Sequence, residues 1–294
     1  MMDYCLRATA ANGKIRAFVA TTKNLVDEAS RIHMTSAVAS AALGRVLTAA
    51  AIMGLNLGND DYSVTLSVKG DGDLNGVLAV SDGLGRVRGY VHNPYAHAPD
   101  RADGKLNVGG ALGSGQLTVI MDLGLKEPYS GTVELVTGEI AEDLAHYYMS
   151  SEQTPSVISL GVLVNADLSI KQAGGIILQL MPGYSDALVT QLEEHIKDFP
   201  QLSKLLDEEK TPEDIMELLL APFGYEILSS HPLEFRCTCS RGRVEGALIS
   251  LGAHEIEILL QEQGEAVISC HFCNENYRFG EDDLREIIKG ILME

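Results

Sequence analysis

Four cysteines near the carboxy-terminal end of the chain are the residues whose types and spacing could do chemistry. They form two close pairs, Cys237 with Cys239 and Cys270 with Cys273. Residues two apart on an extended segment point to the same side, and a Cys-x-x-Cys turn brings its two sulfurs together. A closed structural zinc site takes four tetrahedral ligands, commonly thiolates. We therefore predict that Cys237, Cys239, Cys270 and Cys273 bind one Zn²⁺ ion.

Oxidation of these pairs would have a structural consequence. A disulfide within either pair would close a loop of only three or four residues, which stabilises a fold by about 1.6–1.9 kcal/mol before strain is subtracted. A structural zinc contributes about 10–16 kcal/mol in finger peptides. A core of about sixty residues rarely supplies more than about 3–5 kcal/mol alone. Oxidation that ejects zinc is therefore expected to unfold this region, so the cluster is suited to be a switch.

The residues around the cysteines have simpler expected roles. Four arginines lie close to the pairs in sequence: Arg236, Arg241, Arg243 and Arg278. We expect them to offset the negative charge of four thiolates and to lower the thiol pKa values. His271 lies inside the second pair and could bind a metal, but four thiols make it unnecessary. Cys5 lies on an alternating strand and is interpreted as a small buried hydrophobic residue.

Other polar motifs favour structural explanations over catalytic ones. Residues 71–82 carry the acidic spacing of a calcium loop, but their flanks are strand-like, which favours a hairpin turn. Residues 109–115 are glycine-rich, yet no Walker lysine follows and the next run is a strand, which favours a turn over a nucleotide site. Glu142 and His146 lie four apart on a predicted helix without a further ligand or acid to complete a site, so we interpret them as a surface pair. We therefore predict no enzyme activity.

Charge and composition exclude several classes of partner. The chain has 294 residues and a formal net charge of −19, so it lacks the cationic excess that nucleic acids and anionic membranes attract. Its 46 % apolar content is typical of a globular protein. The first residues show no secretory signal. The apolar run 37–57 contains Arg45 and is expected to be too weakly hydrophobic for a membrane span and to form a buried helix. We predict a cytoplasmic protein.

The order of the predicted elements indicates an α+β fold with an antiparallel sheet. Residues 3–20 alternate around a turn at 11–13 and predict a β-hairpin, and residues 24–56 predict helix. Five strand-like runs follow, then a helix and two more strands: 62–69, 74–81, 87–92, 117–122, 130–136, helix 140–150, and strands 156–165 and 176–181. A terminal helix is expected over 280–292.

A change in composition after Gly183 marks a helical, acidic stretch. Residues 186–217 contain ten acidic residues and three lysines, and their apolar residues keep helical spacing. Thr211 and Pro212 predict a capped helix start. The stretch is either a solvated helical connector or a marginally stable element that depends on packing against its neighbours.

The whole chain resembles the 33 kDa chaperonin family, the redox-regulated holdases of bacteria. The two terminal cysteine pairs match the family's zinc-binding signature in order and type. Consecutive matches extend along the chain at residues 36–45, 47–50, 89–91, 122–131, 138–145, 151–153 and 174–175.

The resemblance implies three parts: a substrate-binding core domain at 1–183, a helical linker at 184–230 and a small zinc-binding redox-switch domain at 231–294. It implies that the reduced protein binds Zn²⁺ through Cys237, Cys239, Cys270 and Cys273 and is inactive. Under oxidative and heat stress, Cys237–Cys239 and Cys270–Cys273 disulfides would form, zinc would leave and the linker would loosen. The active form would dimerise and hold unfolded client proteins without ATP.

Two other functions remain open from the residues alone. One is a constitutive zinc-stabilised protein-binding module whose cysteines never oxidise. The other is a dithiol oxidoreductase acting through Cys270 or Cys273, which the absence of a thioredoxin-like βαβ setting disfavours. For the chaperone function, the candidate client-binding surfaces are the apolar faces of the helices at 186–220 and the sheet surface that these helices cover.

Overall fold

The amino-terminal hairpin lies inside a five-stranded antiparallel sheet. The computed structural model describes residues 2–293 and divides into one unit that ends at Arg236 and a second that begins at Cys237. The strands of this first sheet are β1 (Tyr4–Ala10), β2 (Ile15–Thr21), β8 (Ser156–Val164), β9 (Ile170–Leu180) and β10 (Tyr225–Pro232). Their order is β10-β1-β2-β9-β8. The predicted hairpin is confirmed, with Ala10 opposite Ile15 at its turn.

A second sheet contains the run of short strands that follows the first helices. Its members are β3 (Ser63–Gly70), β4 (Gly76–Asp82), β5 (Arg86–Val91), β6 (Gly115–Asp122), β7 (Tyr129–Glu134) and β11 (Glu234–Phe235). The order is β11-β5-β4-β3-β6-β7. All its pairs are antiparallel except β11 with β5. The α+β class with antiparallel sheets is thereby confirmed.

The predicted helix over 24–56 is two helices, α1 (Lys23–His33) and α2 (Ala37–Asn56). Met34 adopts a left-handed conformation with φ 51° and ψ 51°, which ends α1. The Ser36 hydroxyl then accepts a hydrogen bond from the Ala39 amide and caps α2. A single-residue reversal of this kind leaves little trace in hydrophobic periodicity, so the break was not predicted.

Helix α2 is the centre of the amino-terminal unit. It packs against strands of both sheets, which explains why it is apolar nearly all round. Its mean hydropathy of 1.7 and its length would suit a membrane span, so the expectation that it is too weakly hydrophobic was wrong. Its most apolar window is, however, 94 % buried inside the fold. The burial confirms the expected core helix.

Two short helices complete this part of the unit, α3 (Val108–Leu112) and α4 (Ala141–Ser150). Helix α3 occupies part of the glycine-rich run 109–115, where a turn was predicted; the strand β6 does follow it. The Asp143 carboxylate accepts backbone N–H bonds from Val136, Thr137 and Ile140 and fixes the loop that enters α4.

The acidic stretch folds as α5 (Asp186–Lys197), α6 (Leu202–Asp207) and α7 (Pro212–Leu220). The predicted cap is confirmed, since Thr211 and Asp214 form a reciprocal capping box. The helices bury an apolar side against the face of the first sheet that points away from α2. Their buried residues are Leu192, Leu202, Leu205, Leu206, Ile215, Met216, Leu219 and Leu220. This packing favours the second interpretation of the stretch, an element that depends on its neighbours.

Tyrosine–carboxylate bonds tie α7 to the first sheet. The Tyr4 hydroxyl on β1 donates to Glu213 Oε2 at 2.5 Å, and the Tyr225 hydroxyl on β10 donates to Glu217 Oε2 at 2.5 Å. Because Glu213 and Glu217 are four residues apart, both lie on one side of the helix. Strand β10 begins inside the range 184–230 that was expected to be helical linker and ends two residues beyond it, and no sequence pattern predicted this strand.

The second unit is small and built around one compact apolar cluster. Its elements are α8 (Arg241–Leu251), α9 (Ala253–Gln263), β12 (Ala266–Ser269), β13 (Asn276–Phe279) and α10 (Glu281–Ile291). Six buried apolar residues form its core: Leu248, Ile256, Ala266, Phe279, Leu284 and Ile287. The terminal helix is confirmed, whereas α8, α9 and the β12–β13 hairpin were not predicted.

Candidate metal centre

The two cysteine pairs lie on two different kinds of backbone. Cys237 and Cys239 lie on the segment that leads into α8, whose N-cap is Ser240. Cys270 and Cys273 lie in the turn between β12 and β13. The Cys270 amide donates to the Glu275 carbonyl at 2.9 Å, and the Asn274 amide donates to the Cys270 carbonyl at 2.8 Å. The turn therefore holds the second pair on a hydrogen-bonded hairpin.

The four sulfurs converge on one point in this unit. Cys237 Sγ lies 3.7 Å from Cys270 Sγ, and Cys239 Sγ lies 3.3 Å from Cys273 Sγ. All four sulfurs lie within 4.8 Å of one another. Tetrahedral zinc with Zn–S bonds of about 2.3 Å places its sulfurs about 3.8 Å apart. The donor set and its spacing therefore fit one tetrahedral Zn²⁺ ion.

Histidine is not needed to complete this donor set. Within residues 2–293, the close group of ligand atoms consists of the four cysteine sulfurs. His271 is exposed and does not belong to the group. The arrangement agrees with the expectation that His271 is unnecessary as a ligand.

The thiols differ in how readily they ionise. Burial raises the pKa of the Cys237 thiol to about 11 and raises that of Cys273 well above its ordinary value. Burial also acts to raise the pKa of Cys239, but hydrogen bonds from the Tyr277 hydroxyl and the neighbouring thiols outweigh it, so the net change is downward. The cluster is thus asymmetric, and Cys239 is the sulfur whose thiolate its surroundings stabilise.

The expectation that the arginines lower the thiol pKa values was wrong: the pKa values of Cys237 and Cys273 are raised, and no arginine contributes to the lowered pKa of Cys239. Each guanidinium is engaged elsewhere: Arg236 with Glu234, Arg241 with Asp283, Arg243 with Thr238 and Arg278 with Glu265. Arg241 also lies over the Phe279 ring at 4.3 Å. The lowered pKa of Cys239 follows from hydrogen bonds, above all from Tyr277, whereas the arginines in this unit fasten its elements to one another.

Tyr277 is the residue that sequence reasoning missed. It lies on β13, four positions after Cys273, and its hydroxyl is 3.0 Å from Cys239 Sγ. The available signal was a tyrosine on the short strand-like run that follows the Cys-x-x-Cys turn. Its pairing with a cysteine 38 positions away required the three-dimensional fold.

The remaining predicted motifs have structural roles. Cys5 is 1 % exposed and lies in the core as predicted. Asp71 and Asp73 accept backbone N–H bonds from Ser114 and His97, 43 and 24 positions away, so their carboxylates fasten the β3–β4 turn to neighbouring loops. On α4, the His146 ring bonds to the Ser150 hydroxyl. No other group of three or more close metal-binding side chains occurs in residues 2–293.

Comparisons with known proteins agree on one family. The family model described as Hsp33 protein matches residues 3–280. Proteins named 33 kDa chaperonin from Desulforamulus reducens and Clostridioides difficile are 49 % and 47 % identical to this chain, over 99 % and 98 % of it and 99 % of each relative.

A solved structure gives the same result for the fold. The crystal structure of the 33 kDa chaperonin (heat shock protein 33 homolog) from Thermotoga maritima matches with a TM-score of 0.91 and 36 % identity, covering 100 % of both chains. Together with the family model and the relatives, this match shows that the chain belongs to the Hsp33 family.

Proposed function

We propose that this protein is a redox-regulated, ATP-independent chaperone of the holdase type, and that it has no enzyme activity. The observation that carries the proposal is the convergence of Cys237, Cys239, Cys270 and Cys273 at zinc-binding distances in a unit with a small core. The relatives' name, 33 kDa chaperonin, supports unfolded proteins as the partners. Its compartment is the cytoplasm, where unpaired cysteines stay reduced until stress oxidises them.

In the reduced state, the four thiolates would hold one Zn²⁺ ion, which supplies structural cross-linking of β12–β13 to the segment before α8 and no catalysis. This role fits a core of six buried apolar residues, which is small for independent stability. The second unit would therefore owe its folded state to its four thiolates.

Oxidation would convert the two thiolates of each pair into a disulfide in two chemical steps, so that the pair no longer binds zinc. A thiolate attacks peroxide to give a sulfenic acid and hydroxide, and the second thiolate attacks the sulfenic sulfur to form the disulfide and expel hydroxide. We assign the pairs Cys237–Cys239 and Cys270–Cys273. The support is proximity in the chain, since the members of each pair are two and three positions apart. The 4.8 Å spread of the four sulfurs permits these disulfides without selecting them, because the close contacts at 3.7 and 3.3 Å join Cys237 to Cys270 and Cys239 to Cys273.

We assign three parts to this mechanism: a substrate-binding core at 1–183, a linker at 184–230 and the redox-switch domain at 231–294. The metal-free, oxidised switch domain unfolds, because a three- or four-residue disulfide loop stabilises it far less than the ion does. Residues 231–236 of this range include the end of β10 and β11, which pair with β1 and β5, so the part that unfolds is the unit that begins at Cys237.

The client surface would be the apolar face of the first sheet beneath α5–α7. These helices carry many of the chain's acidic side chains and cover residues such as Leu6, Ile15 and Leu178 on β1, β2 and β9. Once the helices loosen, this face would bind exposed apolar segments of client proteins. Two activated copies would form a homodimer.

The proposal is tested by comparing the reduced, zinc-loaded protein with the peroxide-treated protein as inhibitors of aggregation of a thermally unfolding client. We expect client aggregation to be suppressed only by the oxidised protein. Mass spectrometry of its peptides should then show the Cys237–Cys239 and Cys270–Cys273 disulfides. Equal suppression by both forms, with zinc retained, would instead indicate a constitutive zinc-stabilised binding module. A gain of disulfide-reductase activity would indicate a dithiol oxidoreductase.

A further inference from the structure

The hydroxyl of Tyr277 makes a contact that the chaperone cycle does not require. It lies 3.0 Å from Cys239 Sγ, and among residues 2–293 it is the only tyrosine in the unit that begins at Cys237. The ring packs against the apolar core of that unit, which fixes where the hydroxyl points. A phenylalanine would fill the same space, so packing alone does not explain a hydroxyl at this position.

We propose that Tyr277 is a positioning residue that lowers the reactivity of the Cys239 sulfur and so sets how much oxidant is needed to open the cluster. The inference rests on the proposed metal-binding role of the four cysteines. The hydroxyl donates a hydrogen bond to the thiolate and withdraws electron density from the lone pair that would attack an oxidant or an alkylating agent. Groups that hydrogen-bond to metal ligands commonly orient these ligands and tune their basicity.

The geometry limits this effect to one sulfur. Cys239 is the partner of Tyr277, whereas Cys237 and Cys270 make their close sulfur contact with each other. Tyr277 lies on β13, which is paired with β12 in register from Ala266–Phe279 to Ser269–Asn276. The hairpin that carries Cys270 and Cys273 thereby also places a donor on a sulfur of the first pair.

The size of the effect follows from general thiol chemistry. A hydrogen bond to a charged acceptor changes its basicity by about one to two powers of ten. Thiolate nucleophilicity follows basicity with a slope of about 0.4–0.5. Loss of the hydroxyl should therefore make Cys239 about threefold to tenfold more reactive.

The test is the alkylation rate of each cysteine in the full-length, zinc-loaded protein, measured with iodoacetamide and peptide mass spectrometry. Metal content is measured first, so a failure of wild-type protein to bind zinc would refute the proposed function, separately from the Tyr277 inference. We expect Tyr277→Phe to raise the rate at Cys239 about threefold to tenfold while the rates at the other three cysteines stay near those of the wild type.

A matched control comes from the same hairpin. Ser269 donates to Asn276 across β12–β13 without touching a sulfur, so Ser269→Ala tests the loss of a hairpin hydrogen bond alone and should leave all four rates unchanged. If Tyr277→Phe raised all four rates together, the hydroxyl would serve only to hold the hairpin, and the inference would be wrong. An unchanged rate at Cys239 would refute it equally.

Discussion

In the amino-terminal unit, the 20-residue helix α2 is buried between two sheets, whereas in the carboxy-terminal unit three helices and one hairpin share six buried apolar side chains. The first unit can close a core from side chains alone. In the second unit, the small apolar core is supplemented by four converging cysteines that can cross-link its segments through a metal ion. Apolar burial increases with chain length, so small units depend on ligands or covalent links.

Because of this difference, we expect substitutions to have different effects in the two units. Loss of one of the four cysteines should unfold the second unit and leave the first folded. Loss of a core side chain in the first unit should weaken it without disturbing the cysteines.

Removal of the proposed zinc ion from the reduced protein by a strong chelator should unfold residues 237–293. A structural zinc contributes about 10–16 kcal/mol in small finger peptides, more than a core of six residues can replace. Limited proteolysis should show cleavage in α8–α10 and protection of α2. Persistent protection of α8–α10 after complete metal removal would mean that the core of this unit suffices.

A cavity in the core of the first unit should destabilise that unit and leave the second unit folded. Leu47 on α2 is fully buried, and a Cβ atom at Gly89 on β5 would lie 2.9 Å from its Cδ2, so strand and helix pack closely there. We expect Leu47→Ala to lower the free energy of unfolding of this unit by about 2.7–5.0 kcal/mol. Denaturant unfolding measures the loss, and zinc content should be unchanged.

The exposed residue Leu84 supplies the control for this cavity. Its side chain is 42 % exposed, so Leu84→Ala should change stability by less than about 0.5 kcal/mol. A Leu47→Ala variant that released zinc would show that the two units are not independent in stability.

Loosening of α7 should expose the covered face of the first sheet without oxidation. Leu219 is 2 % exposed and packs in the cluster under the helices. Leu219→Ala should lower local stability toward the lower end of about 2–5 kcal/mol, because a surface helix relaxes around the gap. We expect stronger binding of a hydrophobic dye and partial client protection by the reduced protein.

The adjacent leucine is a matched control for this variant. Leu218 is 43 % exposed on the same helix, so Leu218→Ala should bind no more dye than the wild type. If both variants behaved like the wild type in dye binding and aggregation assays, the face beneath α7 would not be the client surface.

The smallest predicted effect is a pH dependence of α7. Backbone and side-chain hydrogen bonds from Thr211 lower the pKa of the Asp214 carboxyl. A carboxyl with a lowered folded-state pKa stabilises the fold above its unfolded value of about 3.9, and this contribution is lost as the pH falls through the folded-state pKa. Hydrogen exchange of the first turn of α7 should therefore accelerate on acidification below about pH 4.

Asp214→Asn should remove most of this acid dependence. Glu193 is exposed on α5, and Glu193→Gln is the control that should retain it. Acid-driven exchange that is identical in wild type and Asp214→Asn would place the titrating group elsewhere.

Local sequence patterns were enough to predict the features whose interacting residues are close in the chain. The β1–β2 hairpin follows from alternation around a turn at Asn12, and α2 follows from a continuous apolar run. The cysteine cluster could be predicted because ligand chemistry allows few uses for two close pairs. These features depend on short-range spacing or on a side-chain type with narrow chemistry.

Features with distant partners could not be predicted. Strand β10 pairs with β1 from Tyr225–Ala10 to Pro232–Tyr4, more than 200 positions away in the chain, and its exposed edge shows no alternation. The break at Met34 depends on one left-handed residue. Tyr277 reaches Cys239 only because the β12–β13 turn folds back. In each case the tertiary contact decides the conformation.

The most direct test of the account is a peroxide titration of reduced, zinc-loaded protein at mildly elevated temperature, with zinc release and light scattering by an unfolding client followed together. The account predicts that zinc leaves and client aggregation is suppressed in step, while residues of α2 remain protected from proteolysis. Zinc that stays bound, or leaves without any gain of client protection, would contradict it and would make the four cysteines a purely structural clamp.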